Sequence, residues 1–171
     1  MVAALGRGVL VAVILPLATA LAFSFPLSST LALIGSGLLI EYGAVPVGIA
    51  LGLPPLFVSF VLICTETGIF LALYDIFDTI GHTYEPVRQF LEKSRQYVHH
   101  SETIEKYGIL ALIPTEILVG VYINAPVSWV LGWREDHALL VTMAGYLIAL
   151  AITVVLTVGL LQVSFPGLVH P

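Results

Sequence analysis

Three glutamates interrupt the apolar part of this sequence, and their chemistry is that of a proton or cation site. Glu41 and Glu116 each lie in an apolar stretch rich in glycine and proline, and Glu66 lies in the middle of an unbroken one. An ionisable side chain at membrane depth is costly and by default marks a functional site. Two close carboxylates in a low-dielectric interior resist ionising together. Such a group could bind and release a proton or a small cation.

Each of these side chains also has a purely structural interpretation. Glu41 and Glu116 could cap a helix N-terminus or accept hydrogen bonds from backbone N–H groups. Glu66 could be a protonated carboxyl group bonded to a neighbouring helix. We expect Asn124, in the same stretch as Glu116, to form structural hydrogen bonds rather than to act as a ligand.

The composition predicts an integral membrane protein of one domain. Of the 171 residues, 58% are hydrophobic and 10% are charged, whereas a soluble domain has about 25% charged residues. One cysteine excludes an intrachain disulfide, and there is no basic patch for nucleic acid. No Ser/His/Asp set, zinc signature or phosphate loop is present. We therefore expect neither an enzyme nor a metal or other cofactor.

Glycines and prolines break the backbone around Glu41 and Glu116. A crossing helix needs about 20 predominantly apolar residues, and broken backbone survives in a membrane only where protein or water covers it. We therefore predict re-entrant hairpins at residues 30–53 and 107–133, with close helix packing at Gly48 and Gly52. The backbone positions on which the hairpins depend are Gly43, Pro46, Gly48, Gly52, Pro114 and Gly120.

The rest of the chain predicts three transmembrane helices and one surface helix. The transmembrane helices are expected at residues 8–25, 56–77 and 138–161, and an amphipathic helix in the polar segment 78–106. Residues 1–22 also fit a cleaved signal peptide. We favour a retained helix, because everything that follows is membrane-embedded.

An internal repeat and the basic residues predict the topology. Glu41-Tyr42-Gly43 with Pro46 has a counterpart in Glu105-Lys106-Tyr107-Gly108 with Pro114. With the N-terminus in the cytoplasm and re-entrant hairpins, all six Lys and Arg residues fall on the cytoplasmic side, as the positive-inside rule prefers. We therefore predict an all-α, multi-pass protein of the cell membrane. Its core is an inverted repeat of re-entrant hairpin plus transmembrane helix, with an extra N-terminal helix and with residues 78–106 in the cytoplasm.

The motifs of residues 38–161 resemble the small multidrug export protein family, which is distantly related to the DedA (SNARE-associated) membrane proteins. The most specific part is Gly-Ala-Val-Pro at residues 43–46, followed by Glu105-Lys106-Tyr107-Gly108 about sixty residues later. The resemblance implies opposed re-entrant helices that meet near the bilayer centre and proton-dependent transport. This chain departs from the family's Glu-Leu-Arg-Gly pattern, because Tyr42 replaces the arginine. No cation therefore remains in either hairpin to pair with a lipid phosphate.

These observations predict a small transporter that couples to a proton or cation through Glu41, Glu66 and Glu116. It would export a small molecule or translocate a lipid. Membrane lipid and the substrate are the expected partners, and nucleic acid is not expected. A homodimer is plausible for so short a chain. The alternative is a non-transporting assembly or stability factor, in which the carboxylates only pack the hairpins.

Overall fold

The computed structural model of the protein describes residues 2–83 and 108–164. In these two ranges every regular element is helical, and the polar segment predicted to be amphipathic lies mostly outside them. The elements are α1 (Val2–Val9), a π-helical turn (Leu10–Ile14), α2 (Leu15–Ala22), α3 (Leu27–Ile40), a 3-10 turn (Glu41–Ala44), α4 (Val45–Ala50), α5 (Pro55–Thr83), a 3-10 turn (Gly108–Ala111), α6 (Leu112–Val119), α7 (Val121–Val130) and α8 (Glu135–Ser164).

Three helical stretches are apolar and long enough to cross a membrane. They are Leu27–Ala50, Pro55–Gly81 and Glu135–Leu160. The second and third lie in α5 and α8, which extend beyond the predicted ranges 56–77 and 138–161. The first contains α3 and α4, and its backbone reverses direction between them.

The N-terminal helix, residues 2–22, packs against α5 through small residues. A Cβ added at Gly68 would lie 2.5 Å from the Ala12 Cβ atom and 2.7 Å from the Ala12 backbone nitrogen. A Cβ added at Gly8 would lie 2.6 Å from that of Ala72. Paired small residues four apart permit this close approach of two helix backbones. Pro16 is the second residue of α2, just after the π-helical turn, whose extra residue accommodates the missing proline N–H.

The chain turns back on itself after α3. Leu33 Cδ1 lies 3.1 Å from the position of a Cβ on Gly48, although fifteen residues of straight helix would span about 22 Å. The reversal begins at Glu41, whose φ of +51° is uncommon for a side chain other than glycine. We call α3 and α4 the first helix pair.

A second reversal occurs at Gly120, between α6 and α7, which form the second helix pair. Gly120 has φ +85°. Across the turn, the Asn124 amide nitrogen donates a hydrogen bond of 2.9 Å to the Leu112 carbonyl. Pro114 lies in the first turn of α6, where backbone N–H groups have no helical acceptor.

Each helix pair has a turn at one end and an open end opposite the turn. The two open ends lie beside different parts of α5. Phe25, just before α3, packs against Phe57 at the beginning of α5, with ring centroids 4.3 Å apart. Trp129, near the end of α7, packs against Phe77 in the later half of α5, with ring centroids 5.8 Å apart. The turns of the two pairs therefore meet beside the middle of α5.

The ends of α4 and α7 share one hydrogen-bond pattern. The Leu51 N–H donates to Val47, and the Leu131 N–H donates to Val127, both at 3.0 Å. Each helix is followed by a glycine with positive φ, Gly52 and then Gly132. Aligning the two parts of the sequence so that Leu51 matches Leu131 also matches Pro46 with Pro126, whereas the predicted repeat matched Pro46 with Pro114. We call this alignment the Leu51/Leu131 register.

The predicted packing role is correct for Gly48 and wrong for Gly52. A Cβ on Gly48 would lie 2.7 Å from Val58 Cγ2. A Cβ on Gly52 would meet nothing within 4 Å, and φ of +79° makes this residue the left-handed cap of α4. Gly43 has no positive φ and makes only ordinary contacts.

Candidate functional site

The three glutamates selected from the sequence lie together where the turns of the helix pairs meet α5. Carboxylate oxygens of Glu41, Glu66 and Glu116, one from each residue, all lie within 4.8 Å of one another. Glu66 and Glu116 are buried and Glu41 is partly buried. We call these residues the glutamate cluster. Their binding of a proton or cation stays a prediction.

Gly120 leaves the space that the Glu41 carboxylate fills. Its φ of +85° and ψ of −177° form a backbone conformation that is essentially limited to glycine. A Cβ there would overlap the Glu41 carboxylate. Because there is none, the Glu41 carboxylate of the first helix pair reaches the start of α7 in the second, where the Val121 N–H can donate to it. The structural interpretation of Glu41 and its role in ion binding both stay predictions.

Two tyrosines exchange hydrogen bonds between the helix pairs. The Tyr42 hydroxyl donates to the Ile117 carbonyl at 2.8 Å, and the Tyr122 hydroxyl donates to the Leu38 carbonyl. Both acceptors lie in the last turn of a helix, where carbonyls lack an intrahelical donor. Tyr42 and Tyr122 also correspond in the Leu51/Leu131 register. The exchange fastens the two turns to each other next to Glu41.

Asn124 forms the structural hydrogen bonds predicted for it and leaves one oxygen without a partner. Its amide nitrogen donates to the Leu112 carbonyl at 2.9 Å and to Glu116 Oε2 at 2.8 Å. Because a carbonyl only accepts, the nitrogen must face Leu112, which fixes the orientation of the amide. The fully buried Asn124 Oδ1 has no hydrogen-bond partner among the described residues.

α8 adds Tyr146 to the site, a residue that the sequence analysis missed. Tyr146 is fully buried, and its ring centroid lies 6.2 Å from that of Tyr42, the residue next to Glu41. The Tyr146 hydroxyl and the one of Thr142 have no hydrogen-bond partner in the described part of the chain. Tyr146 corresponds to Glu66 in the Leu51/Leu131 register, which is the signal that would have identified it.

No basic side chain among the described residues forms an ion pair with the glutamate cluster. Arg7 bonds to Asp75 and lies 3.0 Å from Glu135, and Arg134 bonds to Asp136 at 2.8 Å. Three ionised carboxylates without a counterion would be strongly unfavourable in this apolar interior. A bound proton or cation would offset this charge, so the cluster remains the predicted site for either ion.

An apolar groove of about 270 Å³ includes Tyr122, one of the two tyrosines that join the helix pairs, in its lining. It lies between the N-terminal helix and α5 and extends to the turns of both helix pairs. Tyr122 and Leu38, which share a hydrogen bond, are among the residues that line it. Its lining is Gly8, Val9, Ala12, Val13, Leu38, Gly68, Ile69, Ala72, Leu73 and Tyr122.

Comparison with known proteins identifies the family. The family model described as Putative small multi-drug export protein matches residues 41–152, a span that includes all three glutamates. No curated protein matches the chain, and no solved structure does. The distant relation to DedA proteins stays a prediction. With its long apolar helices, the chain is a membrane protein that belongs to the small multi-drug export protein family.

Proposed function

We propose that the protein is a proton- or cation-coupled exporter of small molecules, in which Glu41, Glu66 and Glu116 bind the coupling ion. One observation carries this proposal: three carboxylates from three separate elements converge within 4.8 Å without a described counterion. Replacing buried charged groups by apolar residues of similar size is often neutral or stabilising. A change of charge during transport is the better reason for acidic side chains here.

The proposed architecture is a pair of re-entrant hairpins related as an inverted repeat. The reversals at Glu41 and Gly120, the different positions of the open ends along α5 and the Leu51/Leu131 register support it. In transporters of this design the ion site lies at the interface of the repeats, near the bilayer midplane. Arg7 lies 3.0 Å from Glu135, the residue that follows Arg134 in the sequence, so the two arginines lie on the same side of the protein. This favours a cytoplasmic N-terminus in a multi-pass protein.

Alternating access would separate the two helix pairs at their turns. The hydrogen bonds of Tyr42 and Tyr122 then open, and the cluster meets water on one side at a time. The apolar groove next to Tyr122 gives a small cargo a route to this junction. Because no basic side chain among the described residues pairs with the glutamate cluster, an apolar or cationic small molecule fits the site better than an anionic lipid.

Neutralising the cluster should abolish coupled transport. In proteoliposomes with an imposed pH gradient, ethidium efflux and proton flux are measured together. Glu66→Gln and Glu116→Gln are each expected to lower both fluxes at least about tenfold, equivalent to about 1.4 kcal/mol. Glu41→Gln should have a smaller effect, because its amide oxygen still accepts from Val121.

The matched control is Asp136→Asn, which neutralises an exposed carboxylate paired with Arg134. It should keep wild-type flux. Unchanged pH-dependent transport in all three glutamine variants would reject the proposal. Wild-type protein without flux, combined with glutamine variants that fail to fold, would instead favour the non-transporting assembly factor.

A further inference from the structure

We propose that the glutamate cluster is a binding site for a hard divalent metal cation, such as Mg²⁺, Ca²⁺ or Mn²⁺, which exchanges with protons. The ion would be a coupling ion or cargo rather than a resident cofactor. This inference rests on the proposed transport function and names the ion that the same site takes.

The spacing of the carboxylates fits a single ion. Ligand oxygens lie about 2.3–2.6 Å from Ca²⁺ and about 2.0–2.1 Å from Mg²⁺, so two oxygens on one ion are at most about 5 Å apart for calcium and about 4 Å apart for magnesium. Oxygens of Glu41, Glu66 and Glu116 lie within 4.8 Å of one another, which fits Ca²⁺ as they stand and a smaller ion after a shift of less than about 1 Å. The group contains only oxygen ligands, which favours magnesium, calcium or manganese over zinc or copper.

An unpartnered oxygen provides a second, independent indication. Asn124 Oδ1 belongs to the amide that already bonds to Glu116, and it is fully buried with no donor among the described residues. Glu66 Oε1 and Glu116 Oε1 are unpartnered in the same way. Each added proton supplies one donor to one acceptor. A cation that takes six or more oxygen ligands has room for such unpartnered oxygens beside the three carboxylates.

The charge count favours a divalent over a monovalent ion. Three carboxylates with one sodium ion keep a net charge of −2, whereas with one divalent cation they keep −1. Two bound protons leave the same −1. Exchange of one divalent cation for two protons therefore leaves the net charge of the buried site unchanged.

Binding of Mn²⁺ alone to the purified full chain in lipid nanodiscs tests this inference. The electron paramagnetic resonance signal of free Mn²⁺ reports the bound fraction. We expect each chain to bind one Mn²⁺ ion in a way that depends on the glutamate cluster. Mg²⁺ or Ca²⁺ should displace this ion, whereas Na⁺ at the same concentration should not. Because the ligands must lose protons, affinity should rise with pH, by up to about 100-fold per unit if two protons leave.

Variants separate the cluster from other acidic residues of the chain. Glu66→Gln and Asn124→Ala should each weaken Mn²⁺ binding at least about tenfold, whereas Asp136→Asn should leave it unchanged. If Glu66→Gln fails to fold, the partly exposed Glu41→Gln gives the same comparison. Equal binding in wild type and in every folded cluster variant would overturn the inference.

The transport assay distinguishes this inference from the proposed function. Wild-type protein that carries out proton-coupled flux but binds no Mn²⁺ below millimolar concentration would overturn the metal site and keep the exporter. Cluster-dependent Mn²⁺ binding in a protein without any flux would keep the metal site and overturn the exporter.

Discussion

Replacing Gly120 by alanine is expected to destabilise the junction between the helix pairs and to abolish transport. The residue has φ +85° and ψ −177°, a conformation that costs a non-glycine residue of order 1–3 kcal/mol. The new methyl group would also overlap the Glu41 carboxylate. We therefore expect a loss of at least about 3 kcal/mol in the free energy of unfolding, measured by thermal or denaturant unfolding in detergent.

Gly35→Ala is the matched control for Gly120→Ala. Gly35 lies inside α3, and a Cβ there meets nothing within 4 Å. Alanine is favoured over glycine in a helix interior by about 1 kcal/mol, so this variant should be at least as stable as wild type. If Gly120→Ala matched Gly35→Ala in stability and flux, the described turn and its contact with Glu41 would be wrong.

Gly145→Val is expected to push Glu116 away from the other two carboxylates. A Cβ on Gly145 in α8 would lie 2.7 Å from the Ile113 carbonyl oxygen and 2.9 Å from Glu116 Cβ. Forcing extra carbon atoms into such a contact costs about 1–3 kcal/mol. Because α6 must shift, gradient-driven flux should fall by about tenfold even in molecules that remain folded. Flux per folded protein in proteoliposomes gives the comparison.

Gly159→Val controls for the new side chain on the same helix. Gly159 has nothing within 4 Å of an added Cβ, so valine there should change neither unfolding nor flux appreciably. Similar flux in the Gly145 and Gly159 variants would mean that the position of Glu116 does not matter for transport.

The sequence was sufficient to identify the three glutamates and the two interruptions of the backbone. A carboxylate in an apolar stretch stands out by its cost, and glycine and proline mark breaks by their backbone preferences. The end of α3 at Ile40 and the start of α4 just before Pro46 agree with the predicted break.

The sequence was not sufficient to identify the partners of these glutamates. Tyr146 lies in an otherwise apolar helix, and a lone tyrosine there carries no signal until the Leu51/Leu131 register pairs it with Glu66. The acidic residue Glu105 favours a different register, in which Pro46 pairs with Pro114 and not with Pro126. The contact between Gly120 and Glu41 depends on packing between distant segments, which no local pattern encodes.

The most direct test of the glutamate cluster is labelling with dicyclohexylcarbodiimide, an apolar reagent that modifies protonated carboxyl groups. Mass spectrometry of the intact protein and of its peptides locates the adduct. We expect one adduct on Glu66 or Glu116 in wild type, with a yield that falls as the pH rises or as Mn²⁺ is added. Labelling confined to residues outside the cluster, or cluster labelling that ignores both pH and Mn²⁺, would contradict a cluster that binds protons and cations.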